Sequence, residues 1–143
     1  MAHHPIITET LKTRGRGEML EITERVQRHV TAERIQDGMA IVYVPHTTAA
    51  VTINENADPD VKHDMLAKLG EMIPKEEPYY EHGEGNSDSH VKAILTGNSA
   101  TVLIDDGRLV LGRWQGIYLM EFDGPRQRQL ILRLVDHGRP SLA

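Results

Sequence analysis

Two Asp-Gly pairs, at 106–107 and 123–124, each stand between apolar, β-rich runs. SATVLI (99–104), Asp106-Gly107 and RLVL (108–111) read as one hairpin, and GIYLMEF (116–122), the turn DGPR (123–126) and QLILRLV (129–135) as a second. This commits the C-terminal third to antiparallel sheet.

The rest of the chain must be compatible with that sheet. IITETLKT (6–13) has the alternation of a strand and runs into the Gly-rich turn RGRG (14–17). Ile22, Val26 and Val30 recur every four residues, which predicts a helix capped by Thr23 and closed by Asp37-Gly38. MAIVYV (39–44) reads as a strand buried on both faces, and Pro45 takes the chain out of the ladder. TTAAVTI is extended. Asp58, Pro59 and Asp60 then open a helix whose stripe is Val61, Met65, Leu69 and Met72. Residues 74–85 read as a loop, and Asn86 or Ser87 caps a last helix with Val91, Ile94 and Leu95 turned inward. Strands at both ends with about three helices between them predict an α+β fold, mostly antiparallel, in one domain over residues 1–143.

A chain of 143 residues can bury a core without staples, so any metal it takes is functional rather than structural. Sixteen Lys+Arg against 21 Asp+Glu give a net charge of −5, the wrong sign for a phosphate-backbone binder, and one Trp, one Phe and four Tyr make no stacking platform. Nucleic acid is not expected as a partner. No apolar run approaches the roughly 20 residues of a membrane span, and the first residues have no apolar signal core, so the expectation is a cytoplasmic protein without a membrane partner. With no cysteine, a metal site must be built from His and carboxylates.

Eight histidines are the unusual count. His3 and His4 are set aside as terminal, and His29, His63 and His137 as a helix flank, a solvated helix face and a chain end. His46 (PHTT), His82 (EHGEGN) and His90 (NSDSH) stand beside polar turns, where three imidazoles with an open position would make a catalytic metal centre. A histidine after a strand end is equally a capping side chain, and spacing leaves both readings open. Glu55 has no structural explanation, whereas Asp58 and Asp60 are explained by capping. Asp88 either orients His90, helps hold a divalent ion or is solvated; Glu81 and Glu84 read as solvated. Arg113 and Arg126 are bidentate anion contacts or edge charges, with Gln115 a neutral hydrogen-bonding neighbour.

PHTTAAVTINENADPDV, EGNSDSHVKA and GNSATVLIDDGRLVLGRWQGIYLMEFDGPR resemble, in order and spacing, the YjbQ-like family, also called secondary thiamine-phosphate synthase enzymes. The resemblance covers almost the whole chain. It implies an α+β domain assembled as a homotrimer around a His-lined pocket holding a divalent metal ion, zinc ahead of magnesium or manganese. It places the metal ligands on His46, His82 and His90 and the acidic and amide site positions on Glu55, Asn86, Asp88 and Gln115, with Glu55, Asp88 and Gln115 expected as catalytic groups and Asn86 as a substrate contact beside the anion contacts read for Arg113 and Arg126 from their own chemistry. Arg113 stands where the family usually has Thr, and Ser87 and Ser89 where it usually has Ala. Apolar residues on the C-terminal strands (Ile117, Leu119, Leu130, Leu132, Leu134) exceed what one face of a small sheet needs, which points the same way on assembly. The implied activity joins a pyrimidine diphosphate to a thiazole phosphate with loss of pyrophosphate, a small phosphorylated substrate in either case. A metal-dependent hydrolase of a phosphorylated or ester substrate and a non-catalytic trimer that binds a metal or metabolite are the alternatives.

Overall fold

The computed structural model describes residues 4–138. Eight strands and three helices follow in the order β1 (Ile7–Lys12), β2 (Glu18–Glu21), α1 (Thr23–Ala32), β3 (Asp37–Tyr43), β4 (Ala49–Glu55), α2 (Pro59–Met72), α3 (Ser87–Thr96), β5 (Ser99–Asp105), β6 (Arg108–Leu109), β7 (Gln115–Glu121) and β8 (Gln127–Asp136). One sheet has the order β1-β8-β3-β5-β6 and the other β2-β7-β4, and every pairing is antiparallel. The α+β class with three helices is as expected.

The first hairpin forms as read, β5 into β6, with Asp106 and Gly107 both at positive φ as an Asp-Gly turn requires. The second does not. β7 and β8 lie in different sheets, so the segment 122–126 is a crossover between layers rather than a hairpin turn. Gly124 sits within it because a Cβ there would meet the Gly15 carbonyl oxygen at 2.3 Å.

The layers explain which strand is buried on both faces. Ile117 and Leu119 of β7 pack into the core between the sheets with Leu130, Leu132 and Leu134 of β8, Val42 of β3 and Val26 and Val30 of α1. Tyr118 and Met120, of opposite parity, pack with Phe122 and Ala93 against α2 and α3. GIYLMEF is therefore the strand covered twice. MAIVYV is not: Gly38, Ala40 and Val42 are buried, while Met39 and Ile41 are half-buried and Tyr43 is exposed.

Three helix expectations need correction. Thr23 is the first helical residue of α1 rather than its cap, and its hydroxyl accepts the Ile117 N–H at 2.8 Å. Asp58 caps α2 as read, accepting from the Asp60 N–H at 2.9 Å, but this helix rests on the core through Leu66 and Leu69 while Met65 and Met72 face outward. In α3 the polarity is inverted. Asp88, Ser89, Lys92 and Ala93 are buried, and Val91, Ile94 and Leu95 are exposed, because ion pairs hold the buried side beside the single apolar contact of Ala93.

Candidate functional site

The site forms where β3 ends, where the 74–85 loop turns into α3, and where the crossover joins β8. The loop carries His82 to the start of α3, so that its ring meets that of His90 edge to face with centroids 5.4 Å apart. His46 approaches from the end of β3. Two adjoining cavities share His46, Thr47 and His90. The polar one, about 300 Å³, is completed by His82, Glu84, Asn86, Arg126 and Arg128. The other, about 390 Å³, is completed mainly by small or apolar groups, Ala49, Ala93, Ile94 and Gly97 among them.

Behind the polar cavity lies a buried ion pair. Arg128 donates from Nε to Glu121 Oε1 (2.9 Å) and from Nη2 to Thr48 Oγ1 (2.9 Å), and Thr13 donates to Glu121 Oε1 at 2.7 Å. Burial pushes the Glu121 carboxyl up, but the hydrogen bonds of Arg128, Thr13 and the Asp123 N–H, with the Arg128 charge, outweigh it and hold the group below the usual carboxylate range. Burial followed by the Arg128 charge lowers His46 below the ordinary histidine value, opposed by Glu121. His46 Nε2 accepts the Gln129 backbone N–H at 2.8 Å.

Asn86 donates through Nδ2 to Asp123 Oδ2 at 2.7 Å, and its Oδ1 is buried without a hydrogen-bond partner among the described residues. Arg126 holds the same Asp123 through Nη2 (2.9 Å) and the Asp123 carbonyl through Nε (2.7 Å), which leaves Nη1 uncommitted among the described residues. Burial raises Asp123, while Asn86 and Arg126 bring it below its ordinary value.

The structure thus brings His46, His82, His90, Asn86 and Arg126 together. Asp88 lies beneath them, not in the cavity wall: it is fully buried and takes a bidentate pair from Arg16 (3.0 Å twice) and a third bond from Lys92 (3.2 Å). Burial raises its carboxyl, and the two cations more than reverse this. Glu55 and Gln115 face each other across β4 and β7 at the opposite end from the Ala49–Glu121 pair. Six residue steps of strand put them about 20 Å from the histidines within one chain. Arg113 is at that far end too, its guanidinium 4.8 Å from the centre of the Trp114 ring.

Arg128, Glu121, Lys92, Arg16 and Thr48 escaped the sequence reading. Parity could have found two of them. Arg128 shares its strand face with Leu130, Leu132 and Leu134, and Glu121 with Ile117 and Leu119, so each continues a core row. Glu84, read as solvated, lines the polar cavity. His4, set aside as terminal, pairs through Nδ1 with Glu33 Oε2 at 3.1 Å, and its side chain is mostly buried. His63 is solvated as read, and His29 is tied to Glu9 at 2.7 Å. His3 lies outside the described residues.

The donor set fits a metal ion in part. Two imidazoles on one tetrahedral ion, with bonds of about 2.0–2.1 Å, have ring centres about 5 Å apart, close to the 5.4 Å of His82 and His90. No group of three or more His, Asp or Glu side chains among the described residues is assembled to hold an ion.

The family model for UPF0047 protein YjbQ-like matches residues 7–137. The chain is 48% identical over 125 residues to UPF0047 protein MJ1081 of Methanocaldococcus jannaschii, covering 87% of this chain and 90% of that one. It is 48% identical over 128 residues to UPF0047 protein YugU of Bacillus subtilis, covering 90% and 97%. Among solved structures, an uncharacterised YjbQ/UPF0047-family protein of Clostridium acetobutylicum superposes with a TM-score of 0.88 at 48% identity, covering 90% of this chain and 99% of that one. A YbjQ-like protein of unknown function from Sulfolobus solfataricus does so at 28% identity with a TM-score of 0.88, covering 93% and 97%. This chain belongs to the YjbQ-like UPF0047 family.

Proposed function

We propose that the two-part cleft binds a small phosphorylated substrate and carries out a transfer of the thiamine-phosphate synthase type, in which a pyrimidine diphosphate is joined to a thiazole phosphate. In this reaction a C–N bond forms to the thiazole nitrogen as the C–O bond to the diphosphate breaks, and pyrophosphate departs. The observation that carries the reading is the division of the cleft into a polar cavity of imidazole, amide and guanidinium groups and a less polar one beside it. A substrate with a ring at one end and phosphate oxygens at the other needs those two surroundings.

The chain's part is positioning and charge. Arg126 Nη1 and the His46 ring offer donors to phosphate oxygens, while Asp123 and Glu121 fix the guanidinium groups of Arg126 and Arg128 at the cavity wall. The cavity beside Ala49 and Ala93 receives the ring. A divalent ion held by His82 and His90 would neutralise the departing diphosphate. Asp88 serves by holding α3, and with it His90, in place.

We propose assembly as a homotrimer as well. The apolar residues of the C-terminal strands, Ile117, Leu119, Leu130, Leu132 and Leu134, do not support it, since all are consumed by the chain's own core. Support comes instead from the apolar surface left over, with Ile94 80%, Leu95 64% and Leu103 60% exposed.

Turnover of the two phosphorylated substrates, followed as thiamine phosphate and pyrophosphate with and without chelator, tests the reading. Condensation that chelator abolishes is the expected result. Hydrolysis without condensation would replace it with the hydrolase, and binding without turnover with the metabolite-binding trimer.

A further inference from the structure

His46 owes its surroundings to the way β3 ends. The register of β3 on β8 stops at Tyr43 opposite Ile131, and two residues further it would set Pro45 opposite Gln129. Pro45 leads the chain away, yet β8 runs on to Gln127, still paired with β1 on its other side. The Gln129 N–H on the vacated side, at an exposed stretch of the strand, is left without a strand partner, and His46 Nε2 accepts it at 2.8 Å.

A backbone N–H can only donate, so this contact settles the chemistry of the ring. Nε2 must present its lone pair, and in the neutral imidazole the proton then sits on Nδ1. A metal ligand needs a free ring lone pair, and this one is spent. His82 and His90 carry no such commitment: neither ring nitrogen has a hydrogen bond among the described residues, and the rings lie at a separation two ligands of one ion would take. His46 Nδ1 has no partner among the described residues either, and the ring lines both cavities.

We propose that His46 is a tautomer-locked hydrogen-bond donor, presenting Nδ1–H to an anionic oxygen of the bound ligand, and that it stands outside any metal set, which comprises His82 and His90. The identity of the acceptor rests on the functional reading above; the tautomer does not. A neutral imidazole in this role polarises an oxygen without passing it a proton.

Long-range proton–nitrogen correlation spectra of the full chain labelled with ¹⁵N-histidine test this, the signals being assigned with His46→Gln, His82→Gln and His90→Gln. The expected zinc-free spectrum shows His46 as the Nδ1–H tautomer, and one equivalent of zinc moves the nitrogens of His82 and His90 while leaving those of His46. An Nε2–H tautomer, or a His46 nitrogen that moves with zinc as the others do, overturns the proposal. Gln129→Pro, which deletes the donor on the side β3 has left, should release the lock; a folded Gln129→Pro chain that keeps only the Nδ1–H form overturns the stated cause.

Pyrophosphate separates this proposal from the functional reading. Binding by calorimetry together with a shifted His46 Nδ1–H is expected, as is a loss of about tenfold or more in pyrophosphate affinity in His46→Ala with zinc affinity within about twofold. Binding that leaves Nδ1–H unmoved overturns the donor role. No binding overturns the phosphorylated-substrate reading and the acceptor assigned with it, and the zinc-free spectrum still decides the tautomer.

Discussion

Glu121, the last residue of β7, and Arg128, the second of β8, meet as a buried ion pair that ties one sheet to the other across the crossover. Both are almost wholly removed from solvent. Removing one partner leaves the other charge stranded. Glu121→Gln should cost about 3–5 kcal/mol, as breaking a buried pair does, seen as a lower urea midpoint at pH 7 with unchanged slope. A midpoint equal to that of the unaltered protein would contradict the pair's structural role.

The same carboxylate sets the response to acid. Glu121, Asp88 and Asp123 all lie below their ordinary values when folded, so the folded chain binds fewer protons than the unfolded one. The stability they contribute is complete above the unfolded carboxylate values of about 4 and is lost as pH falls through the folded ones. Urea midpoints should ease slightly below about pH 6.5, because His46 is also lowered in the fold, and fall steadily below about pH 4. Glu121→Gln should flatten that fall, and an equally steep fall in this variant would assign acid sensitivity to other groups.

Asp88→Asn tests the inverted polarity of α3. It removes the negative charge and one of the two oxygens that accept from Arg16 and Lys92, worth about 1.5–3 kcal/mol for hydrogen bonds to charged groups and nearer the lower figure because Arg16 is 36% exposed. Amide exchange in α3 should quicken more than in β7. Uniform quickening would show that Asp88 acts on the whole fold rather than on the helix that carries His90.

Leu103→Lys tests the assembly. Light scattering of the unaltered protein should give the mass of three 16.1-kDa chains, and the substitution, on the solvent side of β5, should lower it. A mass unchanged by Leu103→Lys places the interface elsewhere, with Ile94 on α3 the next position to alter.

Arg113→Thr should change little. The guanidinium stacks on an exposed Trp114 a strand's length from the histidines, so stability should hold within about 0.5 kcal/mol and pyrophosphate affinity within about twofold. A marked loss of affinity would mean that this end of the chain reaches the cleft of a neighbouring copy.

Turn chemistry and periodicity made most elements legible: Asp58-Pro59 announced α2, Asp106-Gly107 the first hairpin, and Pro45 the end of β3. Layering was not legible, because DGPR between two apolar runs looks the same whether the runs pair with each other or go to different sheets. The outward face of α3 failed for a related reason: apolar spacing shows that a helix has two faces, not which one the fold covers when ion pairs can hold the other. In the site, residue type and local context singled out His46, His82 and His90, but not that Gln129 would claim a lone pair of His46, since that follows from a register formed across 83 residues of chain.

β8 lies between β1 and β3, although it follows both in the chain. During synthesis neither neighbour can complete its ladder until β8 has emerged, so the larger sheet closes by insertion of its latest strand into the middle. Folding is then governed by long loop closures, β1 waiting on a partner more than a hundred residues away, and belongs with slow, non-local topologies. Because β8 also brings Arg128 and Gln129, the cleft and the larger sheet mature in one event, and a nascent chain lacking that strand has neither.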